Sequence, residues 1–233
     1  MSLLAQLQIH ERGSGGGSCV ERNGFCPSWI ADNLDRYRTP LIQHVELTLI
    51  AVAIGFAIAF TLALLAHRRR WLIPPITQIT GILYTLPSVA VFFLLLPLTG
   101  RGRTTALIAL VSYTLLIIFR NVITGLEGVP AEARDAGRGM GLTDNQLLWG
   151  VELPLALPAI MAGLRIAVTT TVGLTALVFL AGAGGLGAAI FDDLQFRSNV
   201  VVAGGLCVAL AVVLDLLVLA LQKVLTPWTR AAA

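Results

Sequence analysis

Few side chains in this sequence carry reactive chemistry, and their spacing assembles no catalytic centre. The three histidines, His10, His44 and His67, are scattered, and Cys207 stands alone in an apolar run. Asp192 and Asp193 are adjacent, but they sit in a short polar stretch that suits solvation or contact with another protein better than acid–base work. Gly182, Gly184 and Gly187 satisfy the G-x-G-x-x-G dinucleotide fingerprint. That fingerprint needs a preceding strand, and an acid about 20 residues further on. Here it follows an apolar run, and Asp192 and Asp193 come too soon. Together with Gly185, these glycines instead let the chain break or pack closely beside whatever path the apolar segments enclose. No metal site and no nucleic-acid partner are expected.

Two further features need an environment before their chemistry can be read. Cys19 and Cys26 either form a disulfide or are two thiols in a mobile tail. Arg165 and Asp215 lie inside apolar stretches, where a lone charge is costly and must pair or face a polar cavity.

The apolar stretches supply that environment. Of the 233 residues, 56% are hydrophobic and only 12% charged, the latter about half the share in an ordinary soluble domain. Mean hydropathy is +0.83. The composition implies an all-α membrane protein. Uncharged stretches set against the roughly 20 residues of a spanning helix suggest five spans. The first covers residues 45–66, and the second 76–98 with Pro87 inside it. The third, 104–119, is short, although Arg103 and Arg120 could snorkel at its ends. The fourth, about 155–180, contains Arg165, and the fifth, about 200–222, contains Asp215. The alternation of a membrane β-barrel is absent.

Five spans put the termini on opposite sides. One side then holds the HRRR run at 67–70, Arg120, Arg134, Arg138, Lys223 and Arg230. The other holds Arg101, Arg103 and Arg197, plus four N-terminal arginines balanced by Glu11, Glu21, Asp32 and Asp35, so the positive-inside rule, carried mostly by HRRR, makes the first side cytoplasmic. Trp71 and Trp228 fall where an interfacial aromatic belt on that face would place them. The chain thus divides into an extracytoplasmic segment 1–43, a membrane domain 44–222 and a cytoplasmic tail 223–233. GSGGGS at 13–18 has the composition of a flexible linker. No signal peptide is evident before residue 44.

The longest internal loop, about residues 121–154, is polar, rich in glycine and closed by prolines. It reads as two short helices and a turn. Pro130 suits the first turn of the first helix, with Glu132 and Asp135 near its positive end. Gly139 and Gly141 can end it, and Thr143 with Gln146 is a capping box for the second. Pro154 and Pro158 should stop that helix before the fourth span.

This loop resembles the cytoplasmic motif of ABC importer permeases, E-A-A-x3-G-x9-I-x-L-P. Asp135, Ala136, Gly137, Gly141 with Leu142 after it, Val151, Leu153 and Pro154 stand at its spacing. Asp replaces Glu, Gly the second Ala, and Val the Ile. Glu132-Ala133 is another possible start but loses the glycine register. The stretches GILYTLPSVAVFFLLLPL, VELPLALPAIMAGLRIA and AGAGGLGAAIF are similar to permeases of osmoprotectant importers, which carry glycine betaine, choline or carnitine; permeases for methionine and other small solutes share parts of these patterns. The resemblance implies a type I permease of five core spans whose loop is a coupling helix. It also implies two cytoplasmic ATPase subunits that bind the ATP, a second permease, identical or paralogous, and an extracytoplasmic binding protein. The chain itself would bind no cofactor and catalyse nothing. A quaternary ammonium favours aromatic faces, which makes Tyr84 and Tyr113 candidates for the path beside the glycines at 182–187. An ion-driven transporter or channel would favour a repeated pair of halves, and none is visible; a membrane enzyme would need catalytic groups in the polar loop, and they are missing.

Arg165 lies about eight residues into the fourth span and Asp215 about eight residues before Lys223, so both sit ~12 Å deep at ~1.5 Å per residue. Opposite charges at matched depth on consecutive spans predict a salt bridge. The topology is tested by labelling: a cysteine at Gln146 should react only from the cytoplasm and one at Ser198 only from outside. Reaction of both from one side would refute five spans.

Overall fold

A computed structural model of the chain describes residues 17–230, and among these there is no strand. Most of GSGGGS, and His10, lie outside the described residues. Two short helices, α1 (Gly17–Glu21) and α2 (Pro27–Asp32), precede a 3-10 turn at Leu34–Tyr37 and the long α3 (Arg38–Arg68). There follow α4 (Ile73–Thr85), α5 (Ser88–Thr99), α6 (Arg103–Glu127), α7 (Ala131–Gly139), α8 (Asp144–Leu147), α9 (Leu153–Thr175), α10 (Leu186–Asp192) and α11 (Arg197–Leu225).

Among the described residues, four segments are long and apolar enough to cross a membrane: Leu34–Arg68, Arg103–Glu127, Asp144–Thr175 and Arg197–Leu225. The fifth crossing departs from expectation. Residues 76–98 are two helices, α4 and α5, that meet at 96°. Leu86 and Pro87 take ψ values of 135° and 126°. A proline ring disfavours the α conformation in the residue before it, and here Leu86 leaves the helix. The pair still crosses the bundle. α4 starts just after the end of α3, whereas beyond α5 the Gly102 N–H donates to the Ala181 carbonyl at 2.7 Å, and Arg103 grips Glu46 at the other end of α3 through bonds of 2.9 and 3.0 Å.

Two other expectations change. The third span is not short: α6 runs past Arg120 to Glu127, because Val122, Ile123 and Leu126 continue its buried face at helical spacing. Nor do Pro154 and Pro158 stop a helix. α8 widens into a π turn at Leu148–Glu152 and flows into α9, with Pro154 in its first turn and Pro158 inside it. The wide turn gives the Pro154 ring room, and a proline in the first turn of a helix costs no hydrogen bond.

At the centre of the bundle, α6 packs between α3 and α9, and half of its apolar window is buried, against 11% for that of α11. Close approach rests on missing side chains. A Cβ on Gly55 would lie 1.8 Å from Thr114 Oγ1, and one on Gly163 would lie 2.3 Å from Asn121 Cβ. Without water to drive helices together, such small-residue contacts carry membrane helix packing. Peripheral α11 is tied to α9 by Arg165, whose Nε and Nη2 donate to the two Asp215 carboxylate oxygens at 2.8 and 2.7 Å.

The N-terminal segment is docked on the bundle. Cys19 and Cys26 form a disulfide with Cα atoms 6.0 Å apart. Trp29 is fully buried and meets Phe196 edge-on at 4.7 Å. The Cys26 N–H donates to Ser198 Oγ at 2.7 Å, and the Tyr37 hydroxyl to Asn199 Oδ1 at 2.8 Å. Ser198 is therefore buried, and a labelling reporter at this end belongs at exposed Leu194 instead.

Leu in place of either Arg165 or Asp215 strands a charge between α9 and α11. Each single variant should lower the yield of monodisperse protein in detergent and its thermal midpoint, and the double variant should recover much of both. A double variant no better than the singles would show that the pair does not hold α11.

Candidate functional site

Local chemistry shapes the polar loop into a rigid hairpin of α7 and α8. Pro130 is the N-cap of α7 rather than its first residue, and Glu132 lies in the first turn, while Asp135 lies beyond it. α7 ends at Gly139, and Gly141 turns the chain at φ +83°, which costs an L side chain about 1–2 kcal/mol. The Gly141 and Leu142 N–H groups return to the carbonyls of Arg138 and Gly137 at 2.9 and 3.2 Å. Thr143 Oγ1 then accepts from the Gln146 N–H at 3.4 Å, and Gln146 Oε1 from the Thr143 N–H at 2.9 Å, a complete capping box.

Gly137 explains its own departure from alanine. A Cβ there would come within 2.5 Å of Leu147 Cδ1, with Leu142 and Val151 also adjacent at 3.5 and 3.7 Å. The two helices close on each other through this contact. Asp135, Ala136 and Gly141 face outward, as does Met140, which is 73% exposed. Leu153 is buried and Pro154 opens α9, so the far end of the segment belongs to the bundle.

Three residues that sequence reasoning missed anchor the hairpin. Glu152 is buried, and its carboxylate joins His67 Nε2 at 2.8 Å and Arg134 Nε at 2.7 Å. Arg134 also donates through Nη2 to the Leu126 carbonyl at 2.5 Å. The carboxylate thus ties α7 to the end of α3 at the start of α9, and Arg134 adds the end of α6. Beside it, Arg68 bonds Asn145 across a cleft of about 890 Å³, which Arg70, Asp135, Arg138 and Asp144 also line. A lone acid in the apolar run LLWGVELPLALP was the available signal, since a charge there needs partners.

The other singled-out residues fall in two places. Gly182, Gly184 and Gly185 have φ of +76°, +81° and +82°, in the loop between α9 and α10. The Gly185 N–H donates to Gln43 Oε1 at 3.1 Å and the Leu186 N–H to His44 Nδ1 at 3.3 Å. With Nδ1 accepting, the bonding pattern puts the His44 proton on Nε2, which donates to the Val172 carbonyl at 3.0 Å. Gly184 and Gly187 have no room for a Cβ, which would lie 2.3 Å from Gln43 Oε1 and 1.7 Å from the Ala176 carbonyl oxygen. Gly184 and Gly185 hold the loop against α3, and Gly187 holds it against the end of α9. Tyr84 and Tyr113 meet edge-on at 6.0 Å beside the α4–α5 break, where the Tyr113 hydroxyl caps the Leu86 carbonyl at 2.5 Å. Among the described residues, no group of three or more His, Cys, Asp or Glu could hold a metal ion.

Comparison with known proteins adds identity to this geometry. Residues 51–231 match the family model described as binding-protein-dependent transport system inner membrane component. The chain is 38% identical over 206 residues to the osmoprotectant import permease protein OsmW of Salmonella typhimurium, covering 85% of this chain and 96% of that one. It is 36% identical over 187 residues to the choline transport system permease protein OpuBB of Bacillus subtilis, covering 79% and 86%. The same identity over the same length relates it to the carnitine transport permease protein OpuCB of Listeria monocytogenes, again covering 79% and 86%. Among solved structures, a chain of the MetNI methionine ABC transporter, in an inward-facing form, superposes with a TM-score of 0.69 at 24% identity, covering 84% of this chain and 96% of that one.

Removing the anchor leaves Arg134 and His67 without their buried partner. Glu152→Leu should destabilise the protein by about 3–5 kcal/mol, seen as a lower thermal midpoint in detergent, while Glu152→Gln, which keeps an acceptor, should lose less. Equal midpoints for Glu152→Leu and the parent would show that the junction is not structural.

Proposed function

The chain belongs to the binding-protein-dependent transport system inner membrane components, the permeases of ABC importers, and on that premise we propose that it forms half of the translocation pathway for a quaternary-amine osmoprotectant. The relatives at 36–38% identity, named for osmoprotectant, choline and carnitine transport, support this cargo. Methionine permeases share the fold at an identity that speaks for architecture alone. A second permease completes the path, an extracytoplasmic binding protein delivers the solute, and two cytoplasmic ATPases bind and hydrolyse the ATP.

The observation that carries the reading is the hairpin. Its tip is exposed at Asp135, Ala136 and Met140, while its base is clamped to three helices by Glu152. A docked ATPase that closes on ATP would move α7 and α8 as one piece. That displacement passes through Glu152 to α3, through Arg134 to α6, and through the π turn to α9. Coupling requires the ATPase groove to grip this surface with different affinity in its open and closed states, since equal affinity would shift nothing. The positive residues at 67–70 and in the hairpin support a cytoplasmic position for this end. The disulfide at the other end supports an oxidising compartment there.

In proteoliposomes containing the whole importer, ATP should drive accumulation of choline, glycine betaine or carnitine, but not of methionine or proline. Uptake of the amino acids alone would overturn the cargo. Gly141→Val should cut uptake at least about tenfold, because the turn resists a β-branched residue, with membrane levels unchanged. Open space around Gly141 confines the effect to backbone conformation, so Gly141→Asn, which tolerates positive φ, should retain most activity. Wild-type uptake by Gly141→Val would count against coupling through this turn.

A further inference from the structure

The break between α4 and α5 leaves polar groups bare deep in the membrane. Tyr84 lies eleven steps along the helix from Ile73, or ~17 Å at ~1.5 Å per step, close to the middle of a ~30 Å hydrocarbon core. The carbonyls of Leu83, Tyr84 and Thr85 receive no hydrogen bond among the described residues. Pro87 has no N–H to give to Leu83, and the extended backbone at Leu86 and Pro87 turns later N–H groups away. Tyr84 is 38% exposed, and its hydroxyl likewise has no partner among these residues. Its neighbour Tyr113 is engaged in capping Leu86 and is buried.

Irregular backbone at this depth is tolerated only inside protein or beside water, so this surface does not face lipid tails. The C-terminal end of α4 carries the negative pole of the helix, and the free carbonyls concentrate it. An aromatic ring standing beside a negative helix end attracts a cation that has few hydrogens to donate, as a quaternary ammonium has.

We propose that Tyr84 and the open carbonyls of α4 form a transient subsite for the quaternary ammonium head of the cargo at mid-membrane, with Tyr113 as the residue that positions them. The subsite rests on the quaternary-amine reading above. Its affinity is weak by design of the site, since three carbonyls and one ring face hold a cation that must leave again. The binding protein sets the concentration at which uptake saturates, and Tyr84 sets the maximal rate.

The test replaces Tyr84 by phenylalanine and then by phenylalanines carrying one, two and three ring fluorines, which weaken the negative face of the ring at nearly constant shape. Each full importer is reconstituted, and ATP-driven choline uptake is measured per complex. Tyr84→Phe, which keeps the ring face and drops the hydroxyl, sets the reference rate of the series. The maximal rate should then fall stepwise with fluorination, about tenfold across the series, while the half-saturating choline concentration stays constant. A flat series would overturn the subsite, and would leave Tyr84 to a contact with the second permease. A parent complex that takes up no choline under ATP would overturn the quaternary-amine reading itself, and the subsite with it.

Discussion

A buried carboxylate cannot stand alone in an apolar protein, and Glu152 turns that constraint into the junction of the molecule. Its two oxygens are shared between His67 and Arg134, so the end of α3, the hairpin and the start of α9 meet at one point. The second bond of Arg134, to the Leu126 carbonyl, adds α6. Packing in a bilayer lacks the aqueous driving force that assembles a soluble core, and directional bonds at a few sites then decide which helices move together. Around Glu152 the polar hairpin and the apolar bundle become mechanically continuous.

The remaining contacts grade from that junction outward. α6 is held on two sides through glycine and alanine contacts that permit little sliding. α11 meets α9 mainly through a narrow apolar seam and the Arg165–Asp215 pair, and most of its surface faces away from the bundle. α11 is thus held by discrete ties, at Asp215 and at its Ser198–Asn199 end, whereas α6 is held along its length. The broken crossing of α4 and α5 is a third regime, where the backbone itself is interrupted and Tyr113 repairs part of the loss.

Much of this was legible in the sequence because the signals were local or counted. The hairpin followed from turn chemistry within a dozen residues, and the capping box at Thr143 and Gln146 needed nothing distant. Arg165 and Asp215 meet, and their matched depth can be counted from the span ends. What was misread depended on tertiary context. Pro87 breaks its helix, while Pro154 and Pro158 do not; Pro154 sits just after the π turn in the first turn of α9, and Pro158 is carried inside α9. Glu152, Arg134 and His67 are far apart in sequence, so the lone acid could be noticed but not its partners. The glycines at 182–187 were expected to let the chain break or pack closely, and the partners of that packing, Gln43 and His44, lie about 140 residues away in sequence.

The docked N-terminal segment has a consequence for how such a chain is made. Cys19 and Cys26 are neighbours in sequence, and their bridge needs nothing that follows them. Trp29 and the Cys26 amide, by contrast, find their places only against Phe196 and Ser198, 172 residues later in the case of the amide. During synthesis the first helices reach the bilayer long before α11 exists, and until then the indole of Trp29 has no pocket. The cap can close only on a chain whose last span has been threaded in the correct direction. Its closure therefore reports that the last span is in place, and a truncated or inverted chain would leave the Trp29 indole uncovered.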